Sequence, residues 1–492
     1  MRRLAFTLAT LACVFPATAG AAVLPCDSEV SSAAALVAAA GSSANEGKVV
    51  CVAAGNYGSP SFVNVSHAAK VTLRSKEPHK AIVDGFELST VTGLRLEDFR
   101  VLSGIDFRGQ DAARVEIVGN NIGSGIVAGA LMLPCKASDI LIENNYVHDM
   151  RDNGSWWSGY GVRSSGDESC GGPRRDLRIR YNTFENLGKD ALEIGFTHGG
   201  EIVGNVVKGV KPDVMNPEEH SDGLMLWADS RDMLIKDNRW SDGRGILSSG
   251  TSDIRWENNL VVRIDAWCWQ NGPSGSFSGA AVRNTWVRNT VYDCGDPAWT
   301  DSGFGKGFGL NAHGTVAGTE ANRLERNLLT SFSDSGVSQF AASESNLIKN
   351  GAGTGATDRA FSPVFADLVD YQATNLPLGY GDVGYRPARA GHSFGGAAVP
   401  GPAPAPAPAP TPEPAPEPAP EPTPAPTPEP APAPYNPACK PLCDETITRL
   451  MGRLDRIRVI ADRNVFTASR SQLRQRLLDI RAILGENGGA NG

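Results

Sequence analysis

One short pattern, an apolar residue, two variable residues and an asparagine followed by an alternating run, recurs through the middle of the chain as "IVGNNI", "IENNYV", "IRYNTF", "IVGNVV", "IKDNRW", "WENNLV", "WVRNTV" and "LERNLL". It aligns Asn120, Asn145, Asn182, Asn205, Asn238, Asn259, Asn289 and Asn327, with successive spacings of 25, 37, 23, 33, 21, 30 and 38 residues. A floor near 21 residues with variable excess describes one coil of fixed circumference, with loops inserted at particular corners. Few other architectures accept such spacing.

Each coil carries two or three short strands of alternating polarity, many glycines and no long segment of helical period. Units of that kind cannot bury an apolar face alone and must stack on their neighbours. From about Val49 to Arg386 the sequence resembles the right-handed parallel β-helix proteins of the pectin-lyase-like fold. The resemblance implies an all-β solenoid, and it implies architecture more firmly than activity. The opening "SAAALVAAAGSSANEGKVVCVAAGNYG" looks like the amphipathic helix and first strand that cap such solenoids, and the repeat fades in "FSPVFADLVDYQATNLPLGYGDVGYRP". Stacked asparagines are expected to pair turn backbone along the axis, a structural role that keeps them apart from the candidate site.

The flanks read differently. Arg2 and Arg3, the apolar run Leu4 to Phe15 and the small residues "ATAGAA" form a secretory signal peptide, residues 1–21. No later run is long and apolar enough to span a bilayer, so a secreted or periplasmic protein is expected. The β-helix domain with its cap is assigned to 22–399. Residues 400–434, almost wholly Pro, Ala, Thr and Glu, form a polyproline-II spacer reaching on the order of 100 Å. Residues 435–492 place Ile447, Leu450, Leu454 and Ile457, then Leu473, Leu477, Ile480 and Leu484, at helical spacing. That hairpin is too small to bury a good core alone, so it is expected to self-associate or dock on an envelope component.

Without Cys13, eight cysteines remain: Cys26, Cys51, Cys135, Cys170, Cys268, Cys294, Cys439 and Cys443. An even set in an exported chain reads as disulfides, and sequence neighbours pair most naturally, although spacing alone does not fix connectivity. No Cys-His cluster has zinc-ligand spacing. The net charge of −8, with no basic stripe, argues against a nucleic-acid partner.

Counting back from the asparagines aligns "YGVRSSG", "DALEIGF", "DGLMLWA" and "RGILSSG", which puts Tyr160, Asp190, Asp222 and Arg244 in one column. Equivalent positions on adjacent coils lie about 4.8 Å apart. Two carboxylates so close raise at least one pKa unless a cation intervenes, an arrangement suited to acid/base work or to half a calcium site. The excess length falls beside this column. One insertion, "KPDVMNPEEHS", carries Lys211, Asp213, Glu219 and His220, with His220 two residues before Asp222 and on the same face. Others carry Trp156 and Trp157, and Trp267 and Trp269, aromatic platforms for sugar rings. The strand "LMLW" that follows Asp222 reads as core, and its Trp227 is also placed in the aromatic set.

The resemblance implies a polysaccharide substrate. For lyases of this fold it implies removal of the C5 proton of a uronic acid by Arg or Lys, with calcium or a basic side chain at the carboxylate. Here that gives Lys211 or Arg244 as base, with Asp190, Asp222 and His220 in proton transfer and Glu219 and Asp213 as calcium ligands. The aspartate-rich and arginine motifs of pectate lyases and the signatures of polygalacturonases are missing from this sequence. A glycoside hydrolase using Asp190 and Asp222 is the competing enzyme, and a glycan- or surface-binding β-helix the non-catalytic alternative.

Overall fold

A computed structural model describes residues 25–387, apart from 109–110, 124, 126–127, 156, 165, 167–169, 214–220, 266–267, 273–280, 296–309, 313–321, 335–339, 351–355 and 370. The expected signal segment, proline-rich spacer and helical module, with Cys439 and Cys443, lie outside these residues.

Nearly every strand pair is parallel, and each coil contributes in turn to three ladders. The first is a 13-stranded sheet running from Ser28–Val30 to Phe340–Glu344. The second follows the asparagine corner and includes Tyr146–His148, Thr183–Glu185, Val206–Lys208 and Arg239–Gly243. The third includes Leu131–Met132, Val162–Ser164, Leu192–Gly195, Leu224–Trp227, Ile246–Ser249 and Trp269–Gly272. The chain is a parallel β-helix. Its second and third ladders merge at the long strands Ala81–Ser89 and Arg100–Phe107, where the first coils turn without inserted loops.

Alternation decides what fills the interior. In the third ladder Phe86, Ile105, Leu131, Val162, Leu192, Leu224, Ile246 and Trp269 share one inward column, and all are buried. Trp240, Trp256 and Trp286 fill the same interior, with the Trp256 and Trp269 rings 4.5 Å apart. Trp269 is therefore a core residue with no exposed surface, which corrects its expected place among the sugar platforms. Strand register sets this: Trp269 pairs with Ile246 in the inward column.

The asparagine column is an internal hydrogen-bond ladder. From Asn145 onward each Oδ1 accepts the backbone N–H of the asparagine one coil earlier, at 2.9 to 3.1 Å. Each Nδ2 donates to a carbonyl of the preceding coil, as Asn205 does to Ile179 at 2.8 Å. The ladder runs on through Asn346 to Asp358, and a second one forms at another corner through Asn284 and Asn322. Buried turn backbone is thereby paired from Phe99 N–H onward along the described ladder.

Both ends are covered. At the start, helix Ala33–Gly41, whose N-cap Ser32 accepts from Ala35 N–H, buries Leu36, Ala39 and Ala40 against the first coils. At the other end, residues 361–386 fold back over the outer face of the second ladder. There Phe365, Tyr371 and Tyr385 pack on Leu260, Val262 and Tyr292, while Tyr380 and Val383 pack on Leu328 and Leu347. Disulfides join Cys26 to Cys51, Cys135 to Cys170 and Cys268 to Cys294, the neighbour pairing expected from the sequence. Bonds of this kind persist in oxidising compartments. Among the described residues no helix is long and apolar enough to cross a membrane.

Candidate functional site

The third ladder carries the column found by counting. Val162 pairs with Leu192, Glu193 with Met225, and Leu224 with Ile246. The same offsets place Tyr160, Asp190, Asp222 and Arg244 on successive rungs at the corner where the chain enters this ladder. Asp190 Oδ1 accepts the Asp222 N–H at 2.7 Å, so the two residues touch along the axis. All four are buried.

The inserted segment before Tyr160 packs beside this corner, where the Lys189 N–H donates to the Gly159 carbonyl at 3.1 Å. The segment after the second-ladder strand Tyr146–His148 folds around Asp152, which is fully buried and accepts from Ser158 Oγ at 2.6 Å and Gly154 N–H at 3.1 Å. This fold brings Trp157 to the surface, 61% exposed, with the Arg163 guanidinium 5.5 Å from its ring. Arg163 is itself buried, lies 4.8 Å from the Tyr160 ring and donates from Nε to Glu193 Oε2 at 2.8 Å. Lys189, also buried, reaches the Tyr160 ring with Nζ at 5.1 Å.

Burial sets the protonation states. It raises the Asp190 carboxyl well above its ordinary value, helped by the charges of Asp222 and Glu193 and opposed by the Asp222 N–H and Lys189. It raises the Tyr160 phenol as well, with the Glu193 charge adding to the effect. Burial lowers the Arg244 guanidinium, against the pull of Asp222 and Asp265. Behind Glu193, burial lowers Arg174 to about 10 while it donates to the carbonyls of Pro134 and Gly195. The site thus holds a carboxyl favouring its proton, a phenol kept neutral and an arginine that releases its proton more readily than usual.

The remaining expected residues are placed apart from this core. Lys211 is 54% exposed in its side chain and pairs with Asp265 at 2.9 Å. Asp213 is buried; its Oδ2 accepts from Arg151 Nε and from the Asp152 N–H, and its Oδ1 accepts from Arg151 Nη2. That bidentate pair occupies the oxygens a calcium ion would need, so Asp213 does not fit the ligand role expected of it. Among the described residues no group of three or more His, Cys, Asp or Glu is placed to hold a metal ion. Trp227 is half-buried, and its ring packs so closely on Gly195 that a Cβ there would come within 2.9 Å of Cε2. His220, Glu219, Trp156 and Trp267 lie outside the described residues.

Counting missed Arg163, Glu193 and Lys189. The signal was within reach, because Arg163 and Glu193 are a registered pair three residues beyond Tyr160 and Asp190 in the same alignment.

No protein-family model matches this sequence, and no curated protein matches it. Among solved structures the chain is similar to the PL6 family alginate lyase AlyGC, with 13% identity over 73% of this chain and 56% of that one, at a TM-score of 0.34. It is also similar to a PL6 family polysaccharide lyase from Pseudopedobacter saltans, with 16% identity over 73% of this chain and 99% of that one, at a TM-score of 0.30. A third is the A-module of the mannuronan C-5 epimerase of Azotobacter vinelandii, with 10% identity over 67% of this chain and 95% of that one, at a TM-score of 0.27.

Proposed function

We propose that this chain is an exported carbohydrate-active enzyme that cleaves a uronic-acid-containing polysaccharide by β-elimination on the outer face of the third ladder. The observation that carries the reading is the buried charge of one corner. The inward column two residues further along is filled by Val162, Leu192, Leu224 and Ile246, whereas here Tyr160, Arg163, Lys189, Asp190, Glu193, Asp222 and Arg244 lie together, all buried. Stacking alone does not call for such a set, because each charge costs desolvation that an aliphatic rung avoids.

Elimination needs three services. A base removes the C5 proton, a cation stabilises the charge that builds on the adjoining carboxylate, and an acid protonates the oxygen leaving C4 as the C4–O bond breaks. Arg244 serves as base, its guanidinium lowered by burial in the direction that role requires; Lys211 is the exposed second candidate. Arg163 and Lys189 supply positive charge beside Tyr160, and the Tyr160 phenol, kept protonated, supplies the acid. The Asp190 and Asp222 pair keeps one proton in reserve beside these groups. Calcium takes no part in this account.

Incubation of the mature protein with a panel of acidic and neutral polysaccharides tests it. Ultraviolet absorbance of the unsaturated product is followed together with new reducing ends. The two rising together is the expected result. Reducing ends without unsaturation would replace elimination by hydrolysis through the carboxyl pair, and binding without either signal would leave a glycan-binding module.

A further inference from the structure

On the N-terminal side of this cluster the same face opens into a groove of about 280 Å³. Trp157 and Met132 form its apolar wall next to the cluster, and Ser59, Glu87, Asp106 and Arg108 line the other side. Glu87 and Asp106 are a registered pair on adjacent coils. Arg108 spans them, with Nη2 3.0 Å from Glu87 Oε1 and Nε 2.8 Å from Asp106 Oδ2, one oxygen of each carboxylate.

Position links the groove to the chemistry. Asp106, Met132 and Arg163 occupy one column, so the acidic pair begins two rungs from the cluster cation, about 10 Å at the usual strand spacing. That is roughly the length of two sugar rings along a polysaccharide laid parallel to the axis. The two places differ in sign. The cluster sets Arg163, Lys189 and Arg244 against Glu193, Asp222 and an Asp190 that favours its proton, whereas the groove carries two carboxylates against one guanidinium.

We infer that this groove is a subsite for an uncharged hexopyranose, so that the substrate is a heteropolysaccharide with a neutral sugar about two residues from the uronate. The inference rests on the reading of the cluster as a uronate site. Hydroxyl groups of a neutral sugar donate to the second oxygens of Glu87 and Asp106 in charge-assisted bonds, and its apolar face stacks on the exposed Trp157. A uronate in the same place sets a third carboxylate beside the pair and is rejected.

Titration of the full chain, followed by intrinsic tryptophan fluorescence, compares two probes of matched length. Deacylated gellan fragments flank each glucuronate with neutral sugars, and polygalacturonate fragments carry a charge on every sugar. The wild-type protein is expected to bind gellan fragments more tightly, and Glu87→Gln with Asp106→Asn to tighten polygalacturonate binding by roughly five- to tenfold, the effect of removing carboxylate repulsion at about 7 Å in a solvated groove. Glu87→Gln alone, at a side chain 38% exposed, serves if the double variant does not fold. Wild-type preference for polygalacturonate, or a gellan preference that the variants leave unchanged, overturns the inference. Binding without unsaturated product leaves the groove intact and removes the lyase reading; product from polygalacturonate at rates the variants do not alter does the reverse.

Discussion

Replacing Asp190 by asparagine isolates the proton that the buried carboxyl pair is argued to hold. Asp190 and Asp222 are 3% and 1% exposed, and Asp190 Oδ1 accepts the Asp222 N–H. Burial first, then the charges of Asp222 and Glu193, lift the Asp190 carboxyl well above its ordinary value. The folded chain therefore binds this proton more tightly than the unfolded chain does. Stability from the site is fully present below the unfolded carboxyl pKa, near 4, and is lost as pH rises through the raised native value, at up to about 1.4 kcal/mol per pH unit. Asparagine keeps an oxygen for the Asp222 N–H and cannot ionise, so it removes that slope. At about pH 4 the variant should match the wild-type protein, and at about pH 8 it should be more stable by roughly 1–3 kcal/mol. With roughly 2.1 cal/mol/K of unfolding entropy per residue, a domain this long converts the gain into a melting shift of about 1–4 °C. Thermal melts of both proteins over this pH range read it directly, and turnover measured alongside should fall by about a hundredfold if the pair relays protons. Parallel stability curves for the two proteins would refute the reasoning, because Asp190 would then be ionised in the folded chain.

Three further outcomes follow from the packing. Asn205→Ala strands the Asn182 N–H and removes a donor from Ile179 O; denaturant unfolding should show a loss of about 2–5 kcal/mol. Trp269→Ala, in the closed interior, should cost about 3–5 kcal/mol, whereas Trp157→Ala should leave the melting temperature nearly unchanged and weaken polysaccharide binding in a titration. Replacing Cys268 and Cys294 by serine opens a link across 26 residues, worth about 3.5 kcal/mol by loop entropy, which melts of the variant and the wild-type protein without reductant should reproduce.

The solenoid was legible because its period lies in the backbone's need for partners. An asparagine that must reach the next coil cannot drift in sequence, so Asn120 through Asn327 declare the coil length. Asn346 escaped because the residue three before it is Ser343, which breaks the apolar signature, and Asn284 escaped because it sits at a different corner from the one being counted. The column Tyr160, Asp190, Asp222 and Arg244 was legible for the same reason: once one corner is in register, all are. Its burial was not. Whether a corner position meets water depends on what packs beside it, and Asp152 drawing Ser158 and Gly154 around itself is local chemistry that periodicity does not carry. Trp269 was misplaced because a tryptophan in a loop-like stretch and one opening a strand look alike until strand pairing sets the face.

The asparagine ladder also makes the frame commensurate with itself. Every rung offers the same donor and acceptor to the next, so a coil could be excised from Asn238 up to Asn259 and Asn205 N–H would still meet an asparagine oxygen. The frame would close as though nothing had been removed. The corner opposite would not: Arg244 would leave with the excised coil, and Asp222 would face a rung that carries no charge to match it. Scaffold and chemistry in this chain thus obey different arithmetic, one indifferent to how many coils there are and the other dependent on which coil comes next.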